Sequence, residues 1–192
     1  MNIVKTSPLT PQPDGAAHPR YDRGTVALHW ITALLVVTLF ALAEIWGFLP
    51  HGTPLRRGMQ SVHISLGMLL AAVFIFRLFW RSSVAKRIPP AVTGLQHIAA
   101  TAMHLTLYAL LAAQVVLGFL FRWAEGPASF FGFFSIPSPI TMSEGAHHWV
   151  AFLHYYNAWL IICLAGGHAV IALLHHYALR DNTLRRMSFG NE

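Results

Sequence analysis

Acidic residues and cysteine are both nearly missing from this sequence. Its 192 residues include seven Asp and Glu and one cysteine, and charged residues of either sign make up 10%. A soluble domain carries about a quarter. So little charge cannot clothe a soluble globule of this size, while 55% of the residues are hydrophobic. The solvent such a chain suits is a bilayer. The lone Cys163 rules out an intramolecular disulfide and reads as a small packing residue. No cleavable leader is expected either: the first twenty residues, "MNIVKTSPLTPQPDGAAHPR", hold four prolines and no apolar run. They are expected to form a flexible tail, with the first apolar segment acting as an uncleaved signal anchor.

Four windows are long and apolar enough to cross a membrane, at residues 25–49, 59–80, 98–121 and 149–179, since a span needs about 20 largely apolar residues. "LPHGTP" ends the first window and "KRIPP" separates the second from the third. The longest connection, "AEGPASFFGFFSIPSPITMSEGAHH", is rich in Phe, Gly and Pro and is expected to lie along the interface as a non-spanning lid. Trp30, Trp46, Trp80, Trp123 and Trp149 fall near span ends, where an aromatic belt sits. Short connections favour an up-down-up-down bundle. The expected fold class is therefore an all-α integral membrane protein with four transmembrane helices. Residues 1–20 are the tail, 21–187 the bundle domain and 188–192 a short C-terminal tail.

Positive charge is uneven along the chain. Lys5, Arg20, Arg23, Arg77, Arg81, Lys86, Arg87, Arg180, Arg185 and Arg186 fall on one side of the four spans. Arg56, Arg57 and Arg122 fall on the other. The excess predicts that both termini are cytoplasmic. The formal charge of +6 is then a matter of topology, and no nucleic-acid partner is expected.

What the chain has in quantity is histidine, twelve in all. In "HYYNAWLIICLAGGH", His154 and His168 stand fourteen residues apart in an otherwise apolar run. Fourteen helical steps return to within about 40° of the starting direction and rise about 21 Å. The two imidazoles thus share a helix face, one near each membrane surface. Sorted by depth, His63 can meet His154 at the outer level and His29 can meet His168 at the inner level. The sequence has no C-x-x-C-H run for covalent attachment, but paired imidazoles from facing helices suit two stacked, non-covalent bis-histidine b-type haems. A histidine-lined metal transporter and structural or proton-relay histidines are the other readings. Glu44 is the one carboxylate inside the four windows, which disfavours the transporter. Gly67, Gly166 and Gly167, close in sequence to these histidines, would let a flat macrocycle approach the backbone or let helices pack closely. Arg77, fourteen residues after His63, is placed either to meet a haem propionate or to snorkel.

The segments "ALHW", "VHISLG", "MHLTLY" and "GGHAVIALLHHYALRDNTLRRM" resemble the bacterial cytochrome b561 family, in particular its short four-helix members with superoxide:ubiquinone oxidoreductase activity. The resemblance runs from Tyr21 to Met187. It implies a multi-pass protein of the bacterial inner membrane, with haem iron held by His29, His63, His154 and His168. It further implies electron transfer from superoxide to ubiquinone, outer haem first. The family commonly has Glu after the first ligand of span four, where this chain has Tyr155. His148 is set aside as a ligand because His154 alone keeps the fourteen-residue interval. Arg56 and Arg57 are expected to steer the superoxide anion, and His175 to hydrogen-bond the quinone. An electron-relay subunit between the quinone pool and a dehydrogenase or soluble cytochrome is the alternative, with a redox partner protein. No role is assigned to His104, His147 or His148.

Overall fold

The computed structural model describes residues 20–189 except Arg87, Ala91 and Asn182. The expected N-terminal tail, with Lys5, lies outside the described residues apart from Arg20; of the expected C-terminal tail, Ser188 and Phe189 are described. Four long helices dominate: α1 (Arg23–Gly47), α2 (Pro54–Ser83), α3 (Gly94–Glu125) and α4 (Glu144–Tyr177). All four are long and apolar enough to cross a membrane. With 34 residues, α4 extends about 51 Å, well beyond a hydrocarbon core of about 30 Å.

Helix ends explain where the sequence windows fell short. Hydropathy sees the apolar stretch, whereas a helix starts at its cap. Asp22 caps α1 by accepting from Thr25 N at 2.8 Å. Thr53 caps α2, with Pro54 in the first turn, and Ser143 caps α4. As a result Arg56 and Arg57 lie in the first turn of α2, His147 in the first turn of α4 and His148 just after it, all in positions read from hydropathy as lying outside the spans.

α1 lies along α2 and α3 along α4, and the two pairs meet more sparsely. Leu35 and Leu39 of α1, Leu70 and Phe74 of α2 and Leu111 of α3 form one buried cluster, flanked by Tyr108. This apolar layer separates two polar levels, one toward the end where the described residues begin and finish, the terminal end, and one toward the opposite end.

The long connection is a β-hairpin, β1 (Ala128–Phe130) paired antiparallel with β2 (Phe134–Ile136). Its turn uses left-handed backbone at Phe131 and Gly132. A fully buried serine of α2 holds it: Ser65 Oγ accepts from Phe131 N at 2.8 Å. The expected lid thus takes a defined form, pinned two residues from His63.

The terminal end is knitted by polar contacts. Trp80 Nε1 donates to Asp22 at 2.9 Å, and Trp30 Nε1 donates to the Met187 carbonyl at 2.8 Å. Arg186 reaches the Pro89 carbonyl at 2.7 Å. Burial works against ionisation of Asp22, but hydrogen bonds from Thr25 and Trp80 outweigh it and hold its carboxyl below the usual range.

Candidate functional site

At the end away from the termini, α2 and α4 bring His63 and His154 together, with ring centres 6.4 Å apart and planes at 76°. Two imidazoles on opposite sides of one metal ion, their nitrogens each ~2 Å from it, have ring centres roughly 6–6.5 Å apart. Each ring has a polar partner. His63 Nδ1 lies 3.0 Å from the Leu39 carbonyl; a carbonyl only accepts, so Nδ1 carries the proton and Nε2 offers its lone pair. That is the usual outer contact of a metal-ligating histidine. Trp46 packs edge-on to the His63 ring at 5.0 Å. His154 Nε2 sits 3.3 Å from the side-chain nitrogen of Gln114, and its Nδ1 is buried without a hydrogen-bond partner. Gly118 gives the ring its slot: a Cβ there would come within 3.2 Å of His154 Cε1.

At the terminal end the arrangement differs from the one read in the sequence. The ring that touches His168 belongs to His104, at 5.3 Å between centres, a histidine given no role. His29 is turned toward Arg77, with Nη2 3.2 Å from Nδ1. His29 is within electrostatic reach of Arg77, His104 and His168, and His104 is within reach of His168 and Arg77. Arg77 also lies over the Tyr108 ring, 5.1 Å from its centre. Among the described residues no carboxylate pairs with Arg77; the ion pairs are Arg122–Glu125, His147–Glu125 and His175–Asp181. An intramembrane guanidinium without a counter-charge is costly, so this level has room for an anionic group.

Apart from its chain neighbours and its own helix's nearby backbone, no protein atom lies within 4 Å of where a Cβ would stand at Gly67, Gly166 or Gly167. These backbones border open space within a turn of His63 or His168 in sequence, as a flat ring requires. Paired imidazoles at two levels, open space beside them and an unpaired cation at one level together fit a haem. Residues 20–190 match the family described as "Prokaryotic cytochrome b561". The chain belongs to that family.

Its cytochrome b561 relatives cover nearly the same length. "Cytochrome b561 homolog 2" of Escherichia coli is 33% identical over 170 residues, 88% of this chain and 90% of that protein. "Cytochrome b561 homolog 1" of the same organism is 31% identical over 88% of this chain and 96% of its own length. "Probable superoxide oxidase CybB" of Yersinia pestis is 26% identical over the same shares. As a prokaryotic cytochrome b561 the chain is a multi-pass bacterial membrane protein that carries b-type haem and transfers electrons within the membrane.

The remaining predicted residues fall as follows in this b561 bundle. Arg56 spends its guanidinium on the end of α1, with Nη1 3.0 Å from the Trp46 carbonyl and 2.8 Å from that of Leu49. Arg57 is exposed and donates to the Gly52 carbonyl at 2.8 Å. Arg122 is paired with Glu125 at 3.3 Å. His175 donates through Nδ1 to Asp181. Burial opposes the charge on Asp181, but the bonds from His175 and Thr183 prevail and hold its carboxyl low. Sequence reasoning missed Gln114, Asn157 and the Phe121 ring, which lies 5.1 Å from His147 and 6.2 Å from His154. Polar amides inside an apolar window were the available signal for the first two. Phe121 and His147 border a surface cleft of about 660 Å³ that Glu125 and Glu144 also line.

Proposed function

We propose that this cytochrome b561 holds two b haems and passes electrons from superoxide to ubiquinone. His63 and His154 are the ligands at the end away from the termini, and His29 and His168 those at the terminal end. The observation that carries the reading is the facing of His63 and His154 at a separation suited to one shared iron. At the terminal level the 5.3 Å contact of His104 with His168 is closer than two imidazoles on opposite sides of one iron stand. That supports His104 as a neighbour and leaves His29 as the partner of His168. Bound at these levels, haem iron supplies a one-electron couple at each.

The chain's own residues do the rest. Arg57, exposed beside the α1–α2 turn, adds positive potential where an anionic substrate arrives; Arg56 adds charge while tying down Trp46 against His63. Arg77 offers its charge to a propionate. Trp159 lies between His154 and His168 along α4 and packs on Phe40 of α1 at 4.8 Å, which ties α4 to α1 between the levels. Ubiquinone must gain two protons as well as two electrons. His175, whose Nδ1 donates to Asp181, donates to a quinone carbonyl at the terminal end through Nε2 when the ring is doubly protonated, and so holds there a proton that the reduced quinone takes up. The count of Lys and Arg supports a cytoplasmic location for that end. Superoxide as donor is supported by the printed name of the Yersinia pestis relative.

A superoxide pulse to the purified protein tests the reading. Rapid appearance of reduced b-haem absorbance, followed by ubiquinol when ubiquinone is supplied, is expected. Haem that ignores superoxide yet is reduced by ubiquinol would leave the relay between quinone and a protein partner.

A further inference from the structure

The connection between α3 and α4 does not stay at the rim of the bundle. Phe131 N donates to Ser65 Oγ at 2.8 Å, and Ser65 stands six residues inside the apolar window of α2 that opens at Met59. Six helical steps descend about 9 Å. Phe119, which borders one groove with Phe130 and Phe134, lies six residues before the end of α3, again about 9 Å below it. Both measures put the hairpin at hydrocarbon depth. Its construction suits that depth, where backbone groups must find partners within the protein. The strands pair with each other, Phe133 N donates to the Phe130 carbonyl across the turn at 2.9 Å, and buried Ser65 takes the Phe131 N–H. Ala128, Phe130, Phe134 and Ile136 share one face of the hairpin, and Ser129 and Ser135 the other.

The apolar face is only partly covered by protein. Phe130 and Phe134 stack at 5.1 Å, yet Phe134 is 55% exposed and Phe133, at the turn, 84%. Rings left so open are unfavourable in water and suit acyl chains. Between this face and the helices runs a groove of about 260 Å³, bordered by Met68, Leu69 and Ala72 of α2 and Phe119 of α3, with no polar side chain in its lining. It lies where α2 and α3 meet sparsely. Leu69 and Ala72 are also exposed on the side of α2, so the groove is continuous with the helix surface that the bilayer covers. We propose that the β1–β2 hairpin is a re-entrant element that dips into the leaflet at the end away from the termini and holds one phospholipid acyl chain in this groove. The isoprenoid tail of a quinone fits less well, because the ring it carries needs a polar partner and the lining offers none. The acyl chain closes the seam between α2 and α3 on the side of the bundle that carries His63.

Photolabelling of the purified full-length protein in phosphatidylethanolamine vesicles tests this, with a trace of phosphatidylcholine that carries a diazirine in its acyl chain. Label is expected to concentrate on residues 68–72 and 130–136, several-fold above exposed Tyr156 and Leu160 of α4. Ala72→Trp fills the groove and should remove most of that label while the α4 label stays. If that variant does not accumulate, Phe134→Ser, which takes away one wall, decides in the same way. Even label over the exposed helix faces, label undiminished by these variants, or label displaced by excess ubiquinone overturns the proposal. Depth is read separately from a nitroxide at Phe133→Cys in a Cys163→Ser background. Oxygen dissolved in the bilayer should relax it more than a water-soluble nickel complex does, and the reverse order overturns the re-entrant placement.

Discussion

At the scale of single residues, the cost of a charge in an apolar layer makes Arg77 informative. Its near partners are an imidazole and the face of a tyrosine, neither of which cancels a guanidinium. Replacing it by Gln should lower the midpoint potential of the haem proposed at His29 and His168, because a nearby positive charge favours the reduced form. Redox titration checks this, and the other haem should be unaffected. The four ligand candidates were legible in the sequence because helix periodicity turns a fourteen-residue interval into a direction and a depth. His104, Gln114 and Asn157 were not. Their meaning depends on which faces of α3 and α4 meet, and a stretch apolar all round does not encode that. Tryptophan shows the same limit. Trp46 and Trp80 suit an aromatic belt by position, and the sequence does not show that one also packs on His63 and the other anchors to Asp22.

At the scale of elements, α2 begins before its apolar stretch, and that changes the role of its arginines. Arg56 binds two carbonyls at the end of α1, so Arg56→Ser should lose about 1–3 kcal/mol of stability, at about 1 kcal/mol per hydrogen bond and more for a charged donor. Arg57→Ser should cost little stability. Both should slow the reaction with superoxide, most visibly at low ionic strength. Thermal unfolding and stopped-flow rates over a salt series separate the two effects. An unchanged rate in Arg57→Ser removes the steering role.

The N-terminus of α1 offers a second test. A Cβ at Gly24 would overlap the Trp80 ring, so Gly24→Ala should push the indole off Asp22 and cost about 1–3 kcal/mol. Asp22 and Asp181 both have carboxyls held below the ordinary value of 3.8. Their contribution is fully present above that value and is lost as pH falls through the lowered folded-state values. Thermal stability followed down an acid series should drop below about pH 4, and less steeply in Asp22→Asn. The caps that set these helix ends are short polar signals, readable in "YDRGT" and "MSEGA" once the helix is known. Hydropathy averages over them, and so placed the boundaries too far inward.

For the molecule as a whole, two polar levels stand on either side of the layer formed by Leu35, Leu39, Leu70, Phe74 and Leu111. The four-helix bundle and its order were legible because a span is specified by length and composition alone. The looser meeting of α1–α2 with α3–α4 was not, since it concerns how the hairpins leave room for something between them. The account stands or falls on what fills that room. Pyridine haemochrome analysis of the purified protein counts haem per chain, and the count in the His154→Ala variant is the direct comparison. Two b haems in the parent chain and one in the variant, with the surviving spectrum unchanged, are the predicted result. One haem in the parent chain, or loss of both in the variant, would contradict it.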